Sequence, residues 1–180
     1  MAVDPFTLLG DALWLDFVNS ARGRTASPPD RFPDFSAYAR WCELQHLDPA
    51  EPAAFPAVIE FRTRLVELAE SLHDGCQPPA GAIAALNAHL GHIAGSRRLT
   101  RVAGEWRLGF VPFRPLGALE ALARSAASTL AEARTAVRRC SGDTCSLFFT
   151  DDSATGSRRW CDPEVCGRTA NVERRRGLRR

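Results

Sequence analysis

The chain contains no lysine: all 23 of its lysine-or-arginine positions are arginine. Such a chain-wide bias is typical of a GC-rich genome, so arginine usage alone identifies no binding site. No apolar run approaches the ~20 residues that a transmembrane helix needs. The first 20 residues have no basic side chain and are interrupted by three aspartates, unlike a secretory signal. We therefore expect a cytoplasmic protein without a membrane partner.

Motifs typical of enzymes are also missing. The sequence has no phosphate-binding loop, no Ser/His/Asp arrangement and no pair of carboxylates suited to acid–base catalysis. Disorder is not indicated either, because 45% of the 180 residues are hydrophobic and 24% are charged. We expect one ordinary domain with a small appended one, and no enzymatic activity.

Hydrophobic periodicity predicts a mainly helical N-terminal part. Four helices are expected, over residues 7–20, 35–46, 58–75 and 81–95. A fifth, rich in alanine and leucine, is expected from Pro115 to about Arg139, where it would run directly into Cys140.

One segment between these helices has a different period. Trp106, Leu108 and Phe110 alternate with polar or small residues, and Gly104 precedes them at a turn. This pattern predicts a β-hairpin within 99–113.

Four cysteines near the C-terminus have the spacing of a metal site: Cys140, Cys145, Cys161 and Cys166. Two C-x4-C pairs separated by 15 residues supply the tetrahedral thiolate set that zinc prefers. Free thiols, two disulfides or an iron–sulfur cluster are the alternatives, but spacing, number and compartment together favour zinc. Because the site has four protein ligands and no open position, we expect one structural Zn2+.

The residues around these cysteines predict a treble-clef-like zinc finger. The SGDT segment after Cys140 is a turn sequence, and Asp162-Pro163 is typical of a helix start. The predicted fold is therefore α+β: a mainly helical N-terminal domain with one β-hairpin over 1–137, and the four-cysteine finger over 138–180.

The finger resembles the CGNR zinc finger. The shared positions are Cys140, Cys145, Phe149, Asp151, Ser153, Ser157, Arg158, Arg159, Trp160, Cys161, Cys166 and Gly167. The N-terminal part resembles the ABATE domain in the phrases WLDFVNS (14–20) and AALN (84–87). This resemblance implies a bacterial, stress-induced transcription regulator whose finger binds DNA. One departure is visible: Cys-Gly-Asn-Arg is replaced here by Cys166-Gly167-Arg168-Thr169.

Basic charge is concentrated around and after the last cysteine pair. After Cys166 the chain carries six arginines and one glutamate. Arginine binds phosphate and can make bidentate contacts to guanine. The candidate nucleic-acid-binding residues are Arg158, Arg159, Arg168, Arg174, Arg175, Arg176 and Arg179. The alternatives are a solvated basic tail and, for Arg158 and Arg159, ion pairs with Asp151, Asp152 or Glu164 that hold the finger together.

Polar residues near the end of the first helix are candidates for an effector pocket. Trp14, Asp16, Asn19 and Arg22 are the predicted ligand-binding residues. Helix capping and solvation are the simpler explanation for the polar members of this group.

Together these features favour a transcription regulator that binds DNA through the finger and senses a small molecule or a partner through the N-terminal domain. The chief alternative is a zinc-stabilised module for protein docking or homodimerisation. An exposed apolar patch would favour that alternative.

Overall fold

The computed structural model describes residues 6–9, 11–132 and 136–170. Within these ranges the α-helices are α1 (Leu13–Asn19), α2 (Phe35–Leu44), α3 (Phe55–His73), α4 (Ala80–Leu90) and α5 (Ala118–Ala131). The strands form two antiparallel pairs, β1 (Gly95–Val102) with β2 (Glu105–Pro112), and β3 (Ala136–Arg139) with β4 (Phe148–Asp151). The predicted fold class, a mainly helical α+β chain with a C-terminal finger, is confirmed.

Helix α3 is the long central element of the helical body. It begins with a proline in its first turn, where the missing N–H costs nothing, and Gly75 follows it at a φ of 68°. Val58, Phe61 and Leu65 recur at helical spacing and are almost fully buried. Burial of each such side chain is worth about 1.5–3 kcal/mol, so this stripe fixes α3 against its neighbours.

The β1–β2 hairpin confirms the change of period seen in the sequence. Its turn is formed by Ala103 and Gly104, which both have positive φ angles, 50° and 88°. Two such residues are what a tight turn between right-twisted strands requires. Apolar side chains of the hairpin lie in solvent, with Trp106 69% and Leu108 60% exposed.

The predicted long helix from Pro115 to Arg139 is wrong at its C-terminal end. Helix α5 stops at Ala131, and Ala136–Arg139 instead forms β3. The physical reason is long-range: β3 pairs with β4, and Val137 is buried in the same core as the helices. Helix propensity reports only local preference, and here tertiary pairing overrides it.

The β3–β4 sheet packs directly on the helical body, with β3 against α3 and β4 against α1. Successive side chains of a strand point to opposite faces, and β4 uses both of them. Phe148 belongs to the helical core, whereas Phe149 belongs to a second core around the four cysteines. Among the described residues, no helix is long and apolar enough to cross a membrane.

Candidate metal centre and its attachment

The four cysteines converge at one point beside the β3–β4 sheet. Cys140 directly follows β3, and Cys145 lies three residues before β4. Cys161 precedes the helical turn Pro163–Gly167, which contains Cys166. All four ligand atoms lie within 4.8 Å of one another, and all four residues are buried.

The sulfur positions fit a tetrahedral zinc ion. Zn–S bonds of about 2.3 Å place the sulfurs of a tetrahedral site about 3.8 Å apart. The Sγ atom of Cys161 lies 3.8 Å from that of Cys145 and 3.7 Å from that of Cys166. Four cysteines fill every position of the tetrahedron, so the centre holds one structural Zn2+ and leaves no place for a substrate.

The electrostatics of this cluster also favour a bound cation. Hydrogen bonding from the Cys145 thiol lowers the pKa of Cys140, whereas hydrogen bonding to Cys140 raises the pKa of Cys161. Neighbouring thiolates disfavour one another, and a bound cation would stabilise all four together. Arg24 supplies a further positive charge, with Nη2 lying 4.0 Å from the Cys161 sulfur and 3.4 Å from the Asp162 carboxylate.

Local backbone geometry explains the sequence around the ligands. A Cβ added to Gly142 would meet Cys145 Cβ at 3.3 Å, so a side chain here would crowd a zinc ligand. Asp162 accepts hydrogen bonds from the N–H groups of Glu164 and Val165 at 2.9 and 3.2 Å, which confirms the predicted helix start.

Asp151 organises the loop between the two cysteine pairs. Its buried carboxylate accepts hydrogen bonds from the Ser153 hydroxyl at 2.5 Å and the Arg158 N–H at 3.1 Å, and pairs with Arg138 at 2.8 Å. The Ser153 hydroxyl hydrogen bond lowers the pKa of Asp151. Asp151 and Ser153, two of the positions shared with the CGNR zinc finger, therefore stabilise the conformation of this loop.

Arg158 and Arg159 are adjacent but lie in different environments. The Arg158 guanidinium donates to the carbonyls of Thr150 and Cys161, pairs with Asp11 at 2.9 Å and lies 4.5 Å from the Phe149 ring centroid. Arg159 is exposed and lies over the Trp160 ring. Arg158 thus joins the finger to the N-terminal segment, although not through the predicted acidic partners, whereas Arg159 remains on the surface.

Of the other predicted nucleic-acid-binding residues, only Arg168 lies within the described chain. Arg168 is exposed and pairs with Glu164 one turn earlier, at 2.5 Å. Arg174, Arg175, Arg176 and Arg179 lie outside the described residues.

The four residues predicted to bind an effector lie in the contact between α1 and its neighbours. Trp14 is fully buried and donates to Thr129, and Asp16 accepts from the Leu9 N–H. Asn19 donates to the carbonyl of Phe148 and accepts from its N–H, each at 2.9 Å.

Arg22, the last of these four, lies over the Phe148 ring and pairs with Glu70 at 2.6 Å. All four side chains therefore have partners inside the protein, and their role in effector binding stays a prediction.

Further contacts in this region were not predicted from the sequence. The backbone N–H of Ser146 donates to the carbonyl of Gly23 at 2.8 Å, and the Thr144 hydroxyl donates to the carbonyl of Arg24 at 2.9 Å. The sequence of residues 20–24 does not predict these hydrogen bonds, because their partners lie more than 100 residues away.

Comparison with family models agrees with this architecture. A model described as "Putative stress-induced transcription regulator" (ABATE) matches residues 11–133, more than half of the chain. This protein belongs to the ABATE family. The CGNR zinc finger model matches residues 136–179 of the ABATE-family chain. A comparison with curated proteins finds no match.

Proposed function

We propose that this ABATE-family protein is a transcription regulator, without enzymatic activity, that binds DNA through its zinc finger. The observation that supports this is the basic sequence that follows the metal centre. Cys166 is anchored in the helical turn Pro163–Gly167, and the segment that follows it carries six arginines against one glutamate. A rigid base followed by a cationic segment suits contact with phosphates.

The finger's candidate arginines lie in different environments, and the proposal assigns them different roles. The Arg158 side chain is engaged in contacts within the protein, so Arg159 and Arg168, both exposed, are the described side chains offered to DNA. Arg174, Arg175, Arg176 and Arg179 complete the proposed surface. The replacement of Asn-Arg by Arg168-Thr169 leaves the zinc ligands intact.

The test is fluorescence anisotropy of the zinc-loaded protein with labelled random duplex DNA over a range of salt concentrations. Binding should weaken steeply with salt, and the triple variant Arg174→Ala/Arg175→Ala/Arg176→Ala should lose most of it. The matched control replaces the same three residues by lysine, which preserves the charge. Absence of wild-type binding even at low salt would overturn the proposal.

We also propose an input for the regulator, in a cleft between α5 and the finger. Its volume is about 500 Å3, and its lining includes Asp11, Arg124 and Ser128 of the ABATE domain with Thr150 and Asp152 of the finger. A small polar molecule bound there would touch both parts at once. Ligand-induced thermal stabilisation that the cleft-filling variant Ser128→Tyr abolishes would support this input, and stabilisation retained in that variant would contradict it.

Protein docking or homodimerisation is the second candidate function, because apolar side chains are exposed on the β1–β2 hairpin. Phe113, just after the hairpin, is 68% exposed, and Leu99 within it is 67% exposed. Analytical ultracentrifugation of the wild type and Trp106→Ala tests it: a dimer that the substitution dissociates would favour this candidate.

A further inference from the structure

The β1–β2 hairpin projects from the helical body. Every residue from Arg97 to Leu108 is exposed, so both faces of the ribbon are in solvent over most of its length. Strands of eight residues are about 27 Å long. A two-stranded ribbon of this kind is marginally stable in water unless something covers it.

One face of the ribbon combines apolar and cationic side chains. The strand register pairs Arg97 with Phe110, Leu99 with Leu108, and Arg101 with Trp106. Directly paired residues of an antiparallel ribbon share a face. We call these six residues the apolar face. Its four exposed apolar side chains form a patch of the kind that marks a binding surface.

The opposite face is cationic as well. It carries Arg98 and Arg107, and its one acidic residue, Glu105, lies 3.8 Å from Arg107 with both side chains at least two-thirds exposed. From Gly95 to Pro112 the hairpin has four arginines and one glutamate, a net charge of +3. An anionic occupant that reaches both faces would therefore complement this surface best.

These charges distinguish between the possible occupants. A second copy stacked on the apolar face would bring Arg97 and Arg101 against the same cationic surface of its partner. A membrane would receive the apolar face and leave the arginines of the opposite face in water. The groove of a DNA duplex has phosphates along both walls, so it can contact both faces at once.

We propose that the β1–β2 hairpin is a second DNA-contact element, which inserts into the major groove. That groove is about 12 Å wide and admits a two-stranded ribbon. The arginines of both faces contact the two phosphate walls, while Trp106 and Leu108 contact sugars and base edges. This inference rests on the proposed function, and it extends the contact surface beyond one short finger.

The decisive experiment compares three double variants of the full zinc-loaded chain. Arg97→Ala/Arg101→Ala removes charge from the apolar face, and Arg98→Ala/Arg107→Ala from the opposite face. Arg40→Ala/Arg64→Ala is the control, since it removes two arginines from the surface of the helical body. Each is titrated with duplex DNA at several salt concentrations, and log Kobs is plotted against log[salt].

Each lost phosphate contact lowers the steepness of that plot by about 0.9. Both hairpin doubles should therefore flatten the slope by roughly 1.8, while the control leaves it unchanged. If wild type binds DNA and both hairpin variants give the same slope as the control variant, this inference is overturned while the proposed function still stands. An effect confined to Arg97 and Arg101 also overturns it, because groove insertion uses both faces. If wild type binds no duplex DNA even at low salt, the proposed function itself is overturned.

Trp106 provides a readout that a general charge effect would not move. Subtracting the emission of Trp106→Phe from that of wild type cancels the contributions of Trp14, Trp41 and Trp160, so the difference reports on exposed Trp106. DNA addition should quench and shift that difference spectrum. An unchanged difference spectrum at saturating DNA would contradict insertion. Insertion would also be contradicted if Trp106→Ala abolished dimer formation, or binding to phosphatidylserine vesicles, without changing the affinity for DNA.

Discussion

The side-chain amide of Asn19 pairs with both backbone polar groups of Phe148, donating to its carbonyl and accepting from its N–H, each at 2.9 Å. Asn19 thereby acts like a residue of a neighbouring strand, although it lies at the end of α1. Both partners are buried, so water cannot replace these hydrogen bonds. The finger's strand β4 is attached to the ABATE domain at this point.

Asn19→Ala should destabilise the folded protein by roughly 2–4 kcal/mol, because it leaves two buried backbone groups without partners. Urea unfolding at saturating zinc measures this loss. Asn87→Ala on the exposed surface of α4 is the control and should change stability by less than about 0.5 kcal/mol. Equal midpoints for the two variants would contradict the role of Asn19.

Removal of zinc should weaken the helical body as well as the finger. Val137 and Phe148 come from the finger's strands but lie in the helical core, so unfolding of the finger opens that core. Addition of a chelator should lower the melting temperature and increase the tryptophan emission of buried Trp14 and Trp41. Cys140→Ser should reproduce the effect, whereas Cys76→Ser, at an exposed cysteine outside the centre, should not. A melting temperature indifferent to chelator would refute the coupling.

Arg24→Gln should weaken zinc binding by about 10–100-fold, the usual cost of losing a group that supports a metal ligand. Arg24 offsets the negative charge of the thiolates and contacts Cys161 directly. Competition against a chromogenic chelator measures the change. Arg40→Gln, at an exposed arginine, is the control. Equal zinc affinity in the two variants would show that Arg24 does not support the metal centre.

The neighbours Arg158 and Arg159 should respond in opposite ways to replacement by alanine. Arg158→Ala removes the contacts to Asp11 and to three carbonyls and should cost about 2–3 kcal/mol of stability. Arg159→Ala should leave stability unchanged and weaken DNA binding. Thermal unfolding and DNA anisotropy on both variants check this, and similar stability losses would show that the difference in environment is unimportant.

Stability at the start of α5 should depend on pH through Glu120. Its carboxylate accepts hydrogen bonds from Arg114 at 2.6 and 2.9 Å and from the Gly117 N–H at 3.1 Å. The hydrogen bond from Arg114 lowers the pKa of Glu120, despite the opposing effect of burial. A lowered folded-state pKa gives stability that is present above the ordinary value of 4.5 and is lost as the pH falls through the folded value.

Glu120→Gln should therefore destabilise the protein by about 1 kcal/mol at neutral pH, with a difference that shrinks below pH 4.5. Melting temperatures across this range give the profile. Glu43→Gln, at an exposed carboxylate on α2, should be neutral throughout. A difference that persisted unchanged in acid would exclude the carboxylate as its source.

Local signals were sufficient for the metal centre and for most helices. The spacing of Cys140, Cys145, Cys161 and Cys166 identifies the ligands because zinc geometry leaves few alternatives. The Asp162 cap and the turn at Gly104 were also predictable, because each satisfies a requirement of the local backbone. The change from helix to strand before Arg139 was not predictable, because it depends on pairing with β4, at least nine residues away.

The polar residues of α1 illustrate the same limit. Asp16 and Asn19 stand on an otherwise apolar helix, which suggested a pocket. Their partners are Leu9 on one side and Phe148 on the other, and no pattern near α1 encodes the arrival of a strand from the far end of the chain.

The course of β3 has a consequence for how this architecture can be divided. The two family models meet between residues 133 and 136, and the predicted domain boundary falls after residue 137, within β3. A fragment expressed from residue 138 would lack half of the β3–β4 pairing, and it would also leave Phe148 without Asn19 and Cys161 without Arg24. The finger is therefore not an independent module. A chimaera that transfers it to another protein would also have to include α1 and the loop that follows α1.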